Sequence, residues 1–236
     1  MKHHEGDSCR VLDSRHEKIR WPDLKPSSTA LLLIDLQYGS ADHRFGSCAK
    51  LMGTQPGQQI VKQYLSRIEN TVIPAVQKMQ KIFRKLNSEV IFIRIESLTL
   101  NGRDRSRQYA KLGIHFPPGS QETKILNPIK PESDEIILSK TSTSAFNSTN
   151  LNYILRNLGI KTLVIGGVIS SGCVELNVRD ASDLGFDVIV VEDACAAWTD
   201  DIHQDAMHRL SVSYGVVTSS EEVISRLLST NDDNYC

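Results

Sequence analysis

The chain has no long apolar run. Its longest, such as Ala30–Ile34 and Val188–Val191, fall far short of the ~20 residues a membrane-spanning helix needs. It also lacks an excess of charge of either sign: 27 Lys and Arg stand against 28 Asp and Glu, a formal net charge of −1. Neither a nucleic acid backbone nor an anionic membrane is therefore an implied partner. Cysteines are few. The five, Cys9, Cys48, Cys173, Cys195 and Cys236, are odd in number, irregularly spaced and never arranged as C-x-x-C. That pattern argues against a disulfide framework, a zinc knuckle and a thioredoxin-type redox pair. The opening stretch MKHHEGDSCR has no apolar core and does not read as a secretory signal. The expectation from these absences is a cytoplasmic protein in a reducing compartment.

What is present is alternation. Ala30–Ile34, Val90–Ile93, Glu135–Leu138, Leu163–Ile165, Val188–Val191 and Gly215–Val217 read as short buried strands. Between them lie helical patterns: Gln58 to about Leu86, split or kinked by Pro74; a helix capped at Ser148 or Thr149 and stopped at Gly159; Cys173–Leu184; Asp200 to about Tyr214; and a last helix behind the capping box Ser219-x-x-Glu222. Alternating strands and helices imply an α/β fold with a mostly parallel sheet of six strands and helices on both faces. The expected organisation is an extended N-terminal arm over residues 1–28, with Trp21 as its anchor, one domain over 29–229 and a tail over 230–236. Glu96–Ser133 reads as one long irregular segment, a length more often functional than idle.

In open parallel sheets, chemistry gathers beyond the carboxyl ends of the strands. That rule selects Asp35, Glu96, Lys140, Cys173 and Asp193. The stretch around Cys173, Gly167-Val-Ile-Ser-Ser-Gly172-Cys173-Val174, has the glycine spacing of a phosphate-binding loop but a cysteine where the lysine belongs. A lone cysteine is by default a small core residue. Three features set Cys173 apart: a glycine-rich strand exit, a helix N-terminus and flanking serines. A helix dipole there is expected to lower the thiol pKa, and the backbone amides can hold an oxyanion. An acid, an amine and a thiol at three strand ends make a working set for nucleophilic catalysis.

These residues also carry a resemblance. Leu31-Leu-Leu-Ile-Asp35-Leu-Gln37, Leu138-Ser-Lys140-Thr-Ser-Thr-Ser-Ala-Phe146 and Gly167-Val-Ile-Ser-Ser-Gly-Cys173-Val-Glu resemble the three signature segments of the isochorismatase-like cysteine hydrolases, in order and at compatible spacing. The resemblance runs from about residue 28 to 228. It implies a Rossmann-like three-layer sandwich and a triad of Asp35, Lys140 and Cys173. It further implies a cis peptide at Val168–Ile169 and an oxyanion hole from the Ile169 and Cys173 amides. Relatives often carry threonine where this chain has Ser170.

The activity so implied is hydrolysis of a C–N bond in a small amide, ureide or N-carbamoyl compound through a thioester, with ammonia released. Gln37, Tyr38, Arg105, Phe146 and Ser170 are candidate substrate contacts; Arg105 would clamp a carboxylate. No metal or other cofactor is expected, because Asn101–Ser106 offers no histidine and His115 is isolated. The resemblance also implies a homodimer or homotetramer. Two other readings stay open: vinyl-ether cleavage of the isochorismatase type, and a thiol sensor or binding module on the same fold.

Overall fold

The computed structural model describes residues 20–232. The expected arm before residue 20 and the tail from 233 lie outside the described residues.

Six parallel strands form one sheet in the order β3-β2-β1-β4-β5-β6: β1 (Thr29–Ile34), β2 (Glu89–Ile95), β3 (Ile136–Lys140), β4 (Thr162–Val168), β5 (Asp187–Ala196) and β6 (Val216–Thr218). Every strand read from the sequence is present, most of them longer than the apolar run that marked them. The third is shifted, so that Lys140 is its last residue. All of β1 is buried, and its side chains alternate between two cores. Leu31 and Leu33 pack with one helical layer, Ala30, Leu32 and Ile34 with the other. Both faces are covered, which is why the strand reads as an unbroken apolar run. Each fully buried Leu or Ile contributes about 1.5–3 kcal/mol.

On the first face lie α1 (Gln55–Arg67), α2 (Ile73–Lys85) and α6 (Ser220–Asp232). On the second lie α3 (Leu151–Asn157), α4 (Glu175–Asp183) and α5 (Asp200–Ser213). The split anticipated at Pro74 is real. Proline has no N–H to give the carbonyl four residues back, and the chain widens into a π-turn over Ile68–Val72, closed by Ile73 N–H on Ile68 O, before α2 begins. Trp21 does pack against the first core, with the Arg226 guanidinium 3.9 Å from its ring centre.

Strand order reverses between β1 and β4, the switch point at which such sheets open a crevice. Asp35 follows β1 directly and Cys173 lies in the turn after β4. The backbones of those two strands come very close: Gly167 sits at φ +135°, and a side chain there would run into the Ile34 carbonyl. Only glycine fits that position.

Candidate active site

Of the five strand-end candidates, three converge. Lys140 Nζ lies 2.9 Å from Asp35 Oδ2 and donates to Cys173 Sγ at 3.4 Å. Lys140 has no exposed side-chain surface and Asp35 only 1%. Lys140 belongs to β3, two strands from β1 at a spacing of about 4.8 Å each, so only a long side chain from this strand end reaches Asp35. The remaining two candidates are structural. Glu96 takes bonds from Arg94, Ser139 and the Gly119 amide. Asp193 caps α6 through the Ser220 amide and hydroxyl, at 2.8 and 2.6 Å.

Asp35 is held at φ +56°, a left-handed conformation that aspartate tolerates better than most residues. Its amide donates to Ile93 O, while its buried carboxylate faces Lys140 and the Cys173 thiol. The Val168–Ile169 peptide is cis, and Cys173 follows within a π-turn, Ser170–Val174, ahead of α4. Asn177, His203 and Arg67 fix this turn from behind. Asn177 donates to the Cys173 and Thr143 carbonyls and accepts from the Ala145 amide, tying the cysteine turn to the loop after Lys140. Ser170 Oγ lies 2.8 Å from His203 Nδ1, and Arg67 Nη2 lies 2.8 Å from His203 Nε2. Arginine can only donate, so Nε2 accepts and Nδ1–H points to Ser170. Burial, then Arg67, brings the His203 pKa down to about 4, which keeps that ring neutral.

The electrostatics correct one expectation. The thiol of Cys173 is not lowered by a helix terminus. Burial, and next the charge of Asp35, push it up to about 12 against the opposing pull of Lys140. Burial and the carboxylate beside the cysteine together outweigh the dipole. Burial also raises Asp35, with Lys140 pulling the other way. Burial works against the Lys140 charge, but Asp35 and Cys173 outweigh it and hold its pKa above the usual range. The thiol rests protonated beside the Lys140–Asp35 pair.

Tyr109 is the residue the sequence reading missed. Its hydroxyl is 2.6 Å from Lys140 Nζ and 3.6 Å from Cys173 Sγ. It sits on a short helix, Arg107–Leu112, with Ser106 at its N-cap and left-handed Gly113 at its end. Both caps and a lone aromatic in Asn101–Leu112 were available as signals inside the supposed irregular loop. Tyr109→Phe is expected to destabilise the protein by about 1.5–3 kcal/mol, the usual worth of a hydrogen bond to a charged group. Turnover should fall with it. Denaturant midpoints and steady-state rates check both.

A cavity of about 150 Å³ opens beside the triad, walled by Asp35, Cys173, Ile169, Tyr109, Phe116 and Trp198 among others. The substrate contacts read from the sequence lie outside its wall. Gln37 is fully buried and spends its side-chain amide on backbone, donating to Ile95 O and Glu122 O and accepting from Ile95 N–H. Tyr38 packs on the first core and Phe146 on the second, 6.1 Å from Phe186. Arg105 donates to Ile114 O at 3.0 Å, and Ser170 faces His203. None of these five is in the cavity wall. Gln37→Ala strands at least one buried backbone group, so a loss of about 1–3 kcal/mol is expected. Thermal unfolding tests that loss.

A doubly wound parallel sheet with an acid, an amine and a thiol at its switch point defines an α/β protein with a cysteine-centred site. The Isochorismatase domain model matches residues 29–222, and the chain belongs to that family. It is similar to ureidoacrylate amidohydrolase RutB of Acinetobacter baylyi, 25% identical over 225 residues that cover 92% of this chain and 89% of the relative. It is also similar to N-carbamoylsarcosine amidase of Arthrobacter sp., 27% identical over 66% of this chain and 61% of that protein. Among solved structures, a cysteine hydrolase from Pseudomonas syringae pv. phaseolicola 1448A shares the fold, with a TM-score of 0.76 at 22% identity over 90% of this chain and 98% of the other.

Among the described residues no group of three or more His, Cys, Asp and Glu is placed to hold a metal ion. No helix there is long and apolar enough to cross a membrane.

Proposed function

We propose that the protein is a cysteine-dependent hydrolase of a C–N bond in a small amide, ureide or N-carbamoyl compound. The observation that carries this reading is the meeting of Asp35, Lys140 and Cys173, the amine touching both the acid and the thiol, with Asp35 and Cys173 in the wall of one cavity. The amidohydrolase relatives support it.

Cys173 starts protonated, so a base must act as the substrate arrives. Asp35 adjoins the Cys173 thiol and has a proton affinity raised by burial, which fits that duty better than an ordinary carboxylate would. Asp35 takes the thiol proton and Sγ attacks the carbonyl carbon. Lys140 and the Ile169 and Cys173 amides stabilise the charge on sulfur and oxygen. The C–N bond breaks, Asp35 returns the proton to the leaving nitrogen, and ammonia departs. A thioester remains. Asp35 then takes a proton from water, whose oxygen attacks the acyl carbon; the C–S bond breaks and the proton returns to Cys173. Acid quench during turnover of a slow amide substrate, followed by mass spectrometry, should find the acyl group on the peptide carrying Cys173. An acyl group on any other residue, or none during demonstrated turnover, overturns the mechanism.

A further inference from the structure

We infer that the substrate is an uncharged carboxamide bearing a single apolar group of about benzene's size, and that the site turns away amides carrying a carboxylate. This inference rests on the amidohydrolase reading above and goes beyond it.

Three observations carry it. First, aromatic and aliphatic side chains form most of the cavity wall: Tyr64, Ile95, Leu112, Ile114, Phe116 and Trp198 face the space beside Cys173. The polar groups among them are the hydroxyls of Ser40, Ser47, Thr143 and the tyrosines, together with Asp35. Second, no Arg, Lys or His lines the cavity. The cations nearby are already engaged. Lys140 is paired with Asp35, Arg105 donates to Ile114 O and Lys50 donates to Gly113 O. A carboxylate entering this space would lose its water and meet hydroxyls and the Asp35 carboxylate but no lining cation, which disfavours the ionised form. Third, the volume of about 150 Å³ is that of an apolar cavity known to hold benzene.

Ureidoacrylate and maleamate, the substrates named for two relatives, are carboxylates, so this chain would part from them in specificity. The same property would assist turnover. Hydrolysis converts the neutral amide into a carboxylic acid, which ionises as it leaves. The apolar wall holds the substrate and not the product.

The test compares ammonia release from benzamide and isovaleramide with release from succinamate and N-carbamoylglycine. In parallel, calorimetry measures binding of benzamide and succinamate to the Cys173→Ala protein, where no turnover interferes. The expected result is kcat/KM at least tenfold higher for the neutral pair, with binding of benzamide and none of succinamate. Leu112 is 55% exposed at the cavity wall, so Leu112→Arg can add a cation there without disturbing the core. It is expected to narrow the gap by raising the rate on succinamate. If wild type cleaves the charged pair as fast, the specificity inference falls while the cysteine-hydrolase reading stands. Benzamide binding without hydrolysis of any of the four amides keeps the pocket assignment and counts against the reaction. Neither binding nor hydrolysis overturns both.

Discussion

Lys140→Met is expected to destabilise the protein by about 3–5 kcal/mol, because it leaves the Asp35 carboxylate buried without its counter-charge. The pair is 2.9 Å apart with essentially no exposed surface, so solvent cannot compensate. The variant should also lose turnover, and the pH profile shows why. In the wild type Lys140 pulls down the proton affinities of both Asp35 and Cys173. Without it both rise further. Asp35 must be ionised to take the thiol proton, so the acid limb of the rate profile should move to higher pH. The stability effect has its own sign. The folded-state pKa of Lys140 is raised, so its contribution is fully present below the unfolded value and is lost as pH rises through the folded one. The wild-type advantage over the variant should therefore shrink in strongly alkaline solution. Pairing the substitution with Asp35→Leu separates the two roles. The double variant should regain much of the lost stability, since an apolar pair can replace a buried ion pair at little cost, and should regain no activity. Urea unfolding of the four proteins closes the cycle, and a double variant as unstable as Lys140→Met would contradict this account of the pair.

The second large effect is the converse. Cys173→Ala should keep the fold and lose at least about 10³-fold in turnover, the scale on which removing a covalent nucleophile acts. Little stability is at stake, because Sγ fills a cavity edge and the Lys140 that donates to it keeps Asp35, Tyr109 and the Ser142 carbonyl. Circular dichroism and thermal midpoints should match the wild type. Residual ammonia release within tenfold of wild type would remove Cys173 from the reaction.

The parts legible in the sequence are those that a repeated local pattern specifies. The central strands β1 and β4 are buried throughout and so announced themselves as apolar runs, because burial on both faces leaves little room for polar residues. Asp35, Lys140 and Cys173 were legible by position at strand ends. Glu96 and Asp193 satisfied the same rule, and only their partners in space distinguish them. Tyr109 was hidden because its helix is too short for periodicity to register, although its caps were in plain view. Gln37 and Arg105 read as substrate contacts, and in the structure both bond to backbone groups. A polar side chain next to a catalytic motif looks like a substrate contact until the backbone groups it satisfies are known, and those lie 58 and 9 residues away in sequence. The direction of the thiol shift was missed because it depends on burial and on a carboxylate from another strand.

That shift has a consequence outside the reaction. Thiolates, not thiols, are what peroxides and electrophiles attack. In the proposed mechanism Cys173, pushed up to about 12 by burial and then by Asp35, waits as the thiol, the form less open to oxidation.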